Sequence, residues 1–134
     1  MCVFTHIAAG ALVGSLAPNV YYAPFFGLGS HVILDIVPHY DIDSIAGEIA
    51  LAVLFVLVVV LIGAITPAIS LGMAFAVLPD LENLLWKKGK ISEEQKKFPG
   101  HRGIIPHGRE VGKKNIIFQA VFAVSVFVYL YWKG

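Results

Sequence analysis

Basic residues are missing from the first part of this chain. No Lys or Arg precedes Lys87, nine of the ten fall between Lys87 and Lys114, and Lys133 is the last. Charged residues make up only 14% of the 134 residues, whereas soluble domains average about a quarter. So few charges argue against a soluble domain. The basic segment alone could attract nucleic acid, but the apolar remainder suits lipid, and we expect no nucleic-acid partner.

Cysteine is almost absent as well. The single Cys2 excludes a disulfide within the chain and leaves the redox compartment open. The first residues also lack the basic segment that opens a secretory signal, so we expect no cleaved leader. A length of 134 residues suits one domain, which predicts a single membrane domain over residues 1–134.

Long apolar runs are what the chain has instead, and hydrophobic residues make up 57% of it. Ile45–Ile65 and Asn115–Trp132 are clear spans, because a bilayer core needs about 20 apolar residues in a helix. Val3–Ala17, Val20–Pro38 and Pro67–Leu81 are weaker, and the first and last of these are short enough to be re-entrant helices. The pattern predicts an all-α integral membrane protein, a bundle of about five transmembrane or re-entrant helices.

The expected topology follows from the one long polar stretch, residues 82–114. Loops rich in Lys and Arg stay in the cytoplasm, so this loop is predicted to be cytoplasmic in a multi-pass protein of the cell inner membrane. With five crossings, the N-terminus and the turn 38–44 lie on the same side. The cytoplasmic face then collects ionisable side chains from distant parts of the sequence: His6, His39, Asp41, Asp80, Glu82, His101 and His107.

The second span carries ionisable residues that are unusual in lipid. His31 and Asp35 are four residues apart, hence on one helical face, and His39 continues the spacing just beyond Pro38. Such groups are costly in a membrane and usually face a polar cavity or a partner. An imidazole and a carboxylate at this spacing can bind one divalent ion. A His31–Asp35 hydrogen bond that only joins helices explains the pair equally well.

The turn after this span adds further candidate ligands. We expect Asp41 to join His39 as a metal ligand, and Asp43 to cap the helix that begins near Ser44. A solvated turn would also be rich in Asp. His6 is isolated in the sequence, and only its expected side of the membrane favours it as a ligand.

Residues 100–109, GHRGIIPHGR, give the most specific local signal. His101 and His107 lie in a glycine-rich loop, whose backbone can bring both imidazoles to one ion. Arg102 and Arg109 can bind an anionic oxygen of phosphate or carboxylate through paired hydrogen bonds. A basic loop lying on anionic headgroups explains the lysines. It does not explain the histidines, which are largely neutral near neutral pH.

Two motifs of this chain occur together in one known family. They are Leu78-Pro79-Asp80-Leu81-Glu82 and Gly100-His101-Arg102-Gly103-Ile104-Ile105-Pro106-His107-Gly108. The pair resembles the LexA-regulated, membrane-bound metal-dependent hydrolases of bacterial inner membranes. That family has an early membrane-edge histidine, an acidic turn and a His-Arg loop ending in a second histidine. The resemblance implies a divalent-metal hydrolase in the membrane, with these residues at matching positions: His6; Asp80 and Glu82; His101, Arg102 and His107.

The leading hypothesis is metal-assisted hydrolysis at the cytoplasmic face, acting on a lipid or lipid-linked phosphoester. One or two divalent ions, with zinc or manganese expected, would be held by imidazoles and carboxylates. Arg102 and Arg109 would stabilise developing negative charge, and Glu82 is the candidate base. The predicted metal ligands are His6, His31, Asp35, His39, Asp41, Asp80, His101 and His107.

Two other classes stay open at this point. A transporter could pass a divalent ion or protons along His31 and Asp35. Leu51–Ile62 is wholly apolar and the fourth span offers only Ser70, which favours the enzyme. The third class is a small, non-catalytic membrane protein whose polar residues pack helices. Membrane lipids are the expected surroundings, and a homodimer is left open.

Overall fold

The computed structural model describes residues 1–134 and contains five α-helices and no β-strand. The all-helical prediction is therefore confirmed. A single turn of 3-10 helix, Glu93–Gln95, interrupts the long segment between the last two helices, and it carries the capping box that Ser92 and Gln95 form. The helices are α1 (Val3–Leu16), α2 (Ala23–Ile36), α3 (Ile45–Leu61), α4 (Pro67–Lys87) and α5 (Asn115–Lys133).

Local side-chain chemistry explains most helix boundaries. The hydroxyl of Ser44 accepts a hydrogen bond from the Gly47 amide at 3.2 Å and so caps α3, which corrects the expectation that Asp43 would be the cap. Thr66 caps α4 in the same way, and Pro67 follows it at the first helical position. The α2 helix ends at Ile36, two residues before Pro38, because a proline disfavours helical backbone in the residue before it.

The α4 helix is longer than the sequence predicts. We expect a span that ends at Leu81, but the helix runs through the buried Pro79 to Lys87. The acidic pair that the resemblance assigns to a turn therefore lies on a helix. Asp80 and Glu82 are two residues apart, which places them about 200° apart around the helix axis. They consequently face different neighbours.

Two of the five helices have the length and apolar composition to cross a membrane. These are α4, with 21 residues, and α5, with 19. The other three are shorter, with 14, 14 and 17 residues. At 1.5 Å per residue, a 14-residue helix is about 21 Å long, less than the roughly 30 Å of a hydrocarbon core. Five helices are thus present where five are predicted, but their lengths differ from the predicted spans.

The α1 helix lies at the centre of the bundle and packs against the other four. Glycines make its contacts with α4 close. A Cβ atom built on Gly10 would lie 2.5 Å from the Gly72 carbonyl oxygen, and one built on Gly14 would lie 2.6 Å from the Ala68 carbonyl oxygen. Gly27 of α2 approaches the same Gly72 oxygen, also at 2.5 Å. Three helices therefore meet at one glycine, in the manner of small-residue motifs spaced four apart.

Substitution of Gly72 by Val is expected to separate these helices. The added side chain would meet the backbone of α1, which cannot move aside as a flexible side chain can. We expect a loss of at least about 3 kcal/mol in the free energy of unfolding, the upper part of the usual range for overpacking. Thermal unfolding of the purified variant would measure it. The control is Gly29→Ala on α2, where a Cβ meets nothing within 4 Å, and an unchanged Gly72→Val protein would contradict the close packing.

Candidate metal centre

Asp35, in the last turn of α2, is a buried carboxylate surrounded by four imidazoles. One of its oxygens, Oδ1, lies 3.2 Å from His6 Nε2. The other, Oδ2, lies 3.0 Å from His31 Nε2, 3.9 Å from His101 Nε2 and 3.7 Å from His107 Nδ1. These rings come from α1, α2 and the loop between α4 and α5. The structure therefore brings together residues that are up to 101 positions apart in the sequence, from His6 to His107.

The remaining predicted ligands lie around this centre. Asp80 Oδ2, on α4, is 3.9 Å from His6 Nε2. Asp41 Oδ2 is 3.6 Å from His39 Nε2, and the other oxygen of Asp41 is 2.9 Å from the Met1 amine. Three sets have ligand atoms that all lie within 4.8 Å of one another: His6, His31 and Asp80; His31, Asp35 and His101; and Asp35, His39 and His107.

Two histidines are oriented by backbone carbonyls. His31 Nδ1 lies 2.7 Å from the Ala76 oxygen, and His39 Nδ1 lies 2.7 Å from the Val37 oxygen. A carbonyl oxygen only accepts, so each Nδ1 carries a proton and donates it. In the neutral ring, Nε2 then has a lone pair, and in both residues this lone pair faces a carboxylate oxygen. The two would repel unless a proton or a metal cation lies between them. Histidines that bind metals commonly have their second nitrogen fixed in this way.

His101 has a comparable arrangement with side-chain partners. Glu82 Oε1 lies 3.5 Å from its Nδ1, and the amide nitrogen of Asn83 lies 2.9 Å from its Nε2. Glu82 also accepts hydrogen bonds from the backbone amides of Lys97 (2.6 Å) and Phe98 (3.1 Å). Glu82 thus holds the segment before His101 against α4. Its predicted role as a base stays a prediction, and the contacts it makes are those of a positioning residue.

The turn between α2 and α3 is held by amide and carboxylate side chains that the sequence reasoning missed. Gln119 Nε2 donates to the Tyr40 carbonyl at 2.7 Å, and Asn115 Oδ1 accepts from the Tyr40 amide at 3.1 Å. Glu48, in the first turn of α3, accepts hydrogen bonds from the amides of Val3 (2.7 Å) and Ile42 (3.2 Å). The signal that the sequence offered was the amide side chain of Gln119 within the apolar run of α5.

Backbone hydrogen bonds join this turn to the loop that carries His107. The His39 amide donates to the Arg109 carbonyl at 3.3 Å, and the Val111 amide donates to the His39 carbonyl at 3.0 Å. The Gly108 amide donates to the Asp35 carbonyl at 2.6 Å. A Cβ at position 108 would overlap the Val37 carbonyl, so only glycine allows this approach. His39 and His107 are thereby brought to a ring-centroid distance of 4.9 Å.

The chemistry of the donor set fits a divalent cation. Buried polar atoms in proteins nearly always have a hydrogen-bond partner, and exceptions call for a water or an ion. Every buried side-chain nitrogen or oxygen that lacks such a partner belongs to this cluster. These atoms are His6 Nδ1 and Nε2, His31 Nε2, Asp35 Oδ2, Asp80 Oδ2 and His101 Nδ1.

Burial favours the neutral form of two imidazoles in the loop between α4 and α5. It lowers the pKa of His101 and of His107, because the charged ring is poorly solvated there. Burial acts the same way on His39, but the nearby Asp41 carboxylate outweighs it and raises the pKa of His39. Neutral imidazole is the form that binds a metal. The neutral form of His101 and His107 is therefore favoured near neutral pH. In neutral His101 the Nε2 lone pair accepts from the Asn83 amide.

The two arginines lie away from the cluster. Arg102 and Arg109 are exposed, form no ion pair and do not line the cavity beside Asp35. Arg109 contributes its backbone carbonyl, to His39, rather than its guanidinium. The role that the sequence predicts for both side chains stays a prediction. The side chain of Lys87, by contrast, lines the cavity.

Comparison of the chain with protein-family models, with characterised proteins and with solved structures gave no significant match.

Proposed function

We propose that this protein is a membrane-embedded, metal-dependent hydrolase whose His/Asp centre lies at the cytoplasmic face. One observation carries the proposal: His31, held at Nδ1 by the Ala76 carbonyl, directs its Nε2 lone pair toward Asp35 Oδ2, and both of these buried atoms lack a hydrogen-bond partner. A centre whose polar atoms served only to pack helices would pair them with each other. The arrangement supports a role for these residues as ligands of a cation.

Membrane insertion is supported by the surface of the two longest helices. In their most apolar windows only 28% of α4 and 22% of α5 is buried inside the fold. A core helix of a soluble protein would be mostly buried, whereas these present large apolar side chains outward. On α5 the exposed ones include Phe118, Val121, Val124 and Val128. Such a surface would aggregate in water and is suited to lipid. The basic segment 87–114 favours a cytoplasmic location for the loop.

We assign two ions to the centre. Of the three ligand sets, two share no residue: His6, His31 and Asp80 form one, and Asp35, His39 and His107 form the other. Asp35 also lies within 3.2 Å of His6 and His31, so its two oxygens face both sets. Asp41 completes the second set, and His101 lies between them. Mixed nitrogen and oxygen ligands suit zinc or manganese.

The chemistry that bound ions supply is a lower pKa of water and polarisation of a phosphoryl or acyl oxygen. The chain's own residues position the imidazoles and line the cavity. Glu82 and the Ala76 and Val37 carbonyls fix imidazole orientation, while Asn83 faces the cavity beside His101. The depth of the centre, at the junction of apolar helices and a basic loop, favours a lipid or lipid-linked phosphoester as substrate. The motif resemblance to membrane metal hydrolases supports the same class.

The proposal is tested by elemental analysis and by turnover. Protein purified in detergent should contain zinc or manganese, and it should hydrolyse at least one of phosphatidic acid, a phosphatidylglycerol and a prenyl diphosphate. Chelator should remove both the metal and the activity, and the metal added back should restore both. The proposal would be overturned if the protein purifies without metal and hydrolyses none of these substrates even after metal is added.

A further inference from the structure

We propose that the groove between α3 and α4 binds the hydrocarbon chain of the substrate, with the substrate's polar head at the metal centre. This inference rests on the proposed function, because it extends the same site toward the membrane. It adds a surface that binds the hydrocarbon chain and gives the direction from which that chain enters. The substrate would be an amphiphile whose chain enters sideways from the bilayer rather than from water.

A cavity of about 460 Å³ lies beside the cluster, within the size range of about 300–1,000 Å³ common for ligand sites. One end is polar and is formed by the metal centre itself, through Asp35, Asp80, His101 and His107. Most other lining residues are hydrophobic and belong to α3 and α4. The cavity therefore has the two-part character of a lipid, with a polar end and an apolar length.

The apolar walls follow single helix faces. On α3 the lining residues include Ile45, Ile49 and Val53, which recur at every turn. Val53 is eight residues beyond Ile45, so this wall extends about 12 Å along the axis away from the cluster. On α4 the facing wall includes Ala74 and Leu78, which are four residues apart on one helix face. Both precede Asp80, so this wall extends from the cluster toward the N-terminal end of α4.

The groove stays open because the two helices pack elsewhere. The α3 helix packs on α1 and α5, and α4 packs on α1 and α2, so α3 and α4 flank α1 without closing on each other. Val53 is 60% exposed and Leu78 is 50% exposed, although both line the cavity. Large apolar side chains that border a cavity and remain this exposed are open to lipid along the length of the groove.

Charge complementarity favours an anionic amphiphile over a second protein chain. Lys87 lines the same cavity about two helical turns beyond Asp80, on the basic side of the centre. A phosphate head at the cluster would therefore share the cavity with a cation, while its hydrocarbon chain would contact the apolar walls. A helix from another copy would have to place its backbone against Asp35 and Asp80, where charged groups would be left without partners.

The test uses a phosphatidic acid with a photoactivatable diazirine in one long acyl chain. In the wild-type protein the label should map to α3 and α4 around Ile49, Val53, Ala74 and Leu78. The variant Ala74→Trp places an indole inside the groove from an exposed position, and we expect about tenfold less labelling there, equivalent to about 1.4 kcal/mol. Val53→Trp provides a second variant on the opposite wall. The control Ala50→Trp adds the same indole to an exposed α3 position outside the cavity and should change nothing.

Metal content and hydrolysis of a short-chain, water-soluble phosphoester separate this inference from the proposed function. Both should be unchanged in the tryptophan variants, while turnover of the long-chain lipid falls with the labelling. Labelling spread evenly over the exposed faces of α3 and α5, or unaltered by Ala74→Trp, would overturn the tail site while leaving the hydrolase intact. Crosslinks between two copies through the groove would overturn it in favour of a dimer. Specific labelling without metal or turnover would instead refute the proposed function.

Discussion

Replacing Asp35 by Asn is expected to reduce the bound metal from two ions to fewer than one per chain and to abolish hydrolysis. Asp35 is the one carboxylate whose two oxygens face both ligand sets. Asn keeps the shape of the side chain but loses its negative charge. The second ion would then keep only His39, His107 and the half-exposed Asp41, and the first would lose a neighbouring countercharge.

The sign of the stability change distinguishes a metal role from a packing role. Without metal, Asp35→Asn should fold at least as well as the wild type, because it removes a buried charge that no amide or hydroxyl satisfies. With metal at a hundred times the dissociation constant of each site, the wild type should gain about 2.7 kcal/mol for each bound ion, and the variant should gain nothing. Thermal unfolding with and without metal measures both. Asp43→Asn, at an exposed turn position, is the matched control.

A packing role for Asp35 predicts the reverse result. The Asn variant would then unfold more easily than the wild type in chelator, and added metal would leave both proteins unchanged. Retention of two ions by the variant would also contradict the shared-carboxylate assignment.

His107→Ala is expected to remove one ion and leave the other. His107 belongs with Asp35 and His39, whereas the set on α1, α2 and α4 does not include it. Its side chain is 41% exposed, so its loss should leave little cavity and should not unfold the bundle. Hydrolysis should fall by at least about a hundredfold. Mutation of a residue that only supports a metal ligand typically costs about 10- to 100-fold in activity, and loss of the ligand itself should cost at least as much.

Elemental analysis, circular dichroism and turnover together check this result. The helical signal should match the wild type, and the metal content should halve. Ile104→Ala, an exposed change in the same loop, should leave all three unchanged. If the protein unfolds, or if both ions are lost together, the division into two sets is wrong. Retention of both ions would remove His107 from the ligands.

The sequence predicted those structural features that depend on a single property, such as hydropathy. Hydropathy predicts all five helices, because an apolar run of this length has few other stable forms. The residue types His and Asp, combined with an expected side of the membrane, predict side chains that the structure brings within a few ångströms of one another. His6 is the clearest case, since nothing in its own neighbourhood indicates a ligand, and yet it contacts Asp35.

The sequence was less informative where tertiary contacts override a local preference. The predicted fourth span ends at Leu81, but α4, which packs against α1 and α2, continues to Lys87. The positions of the Arg102 and Arg109 side chains depend on loop geometry that glycines leave undetermined. The approach at Gly72 was in principle visible, because Gly10 and Gly14 form a small-residue pair spaced four apart.

The hydrogen bond from the Gly108 amide to the Asp35 carbonyl has a consequence for biogenesis. His6, His31 and Asp35 leave the ribosome early, whereas the loop that closes over them is made when most of the chain has already emerged. Until position 108 docks, the cluster lacks His101 and His107. Its full set of candidate ligands is therefore assembled only after the last loop of the chain is in place.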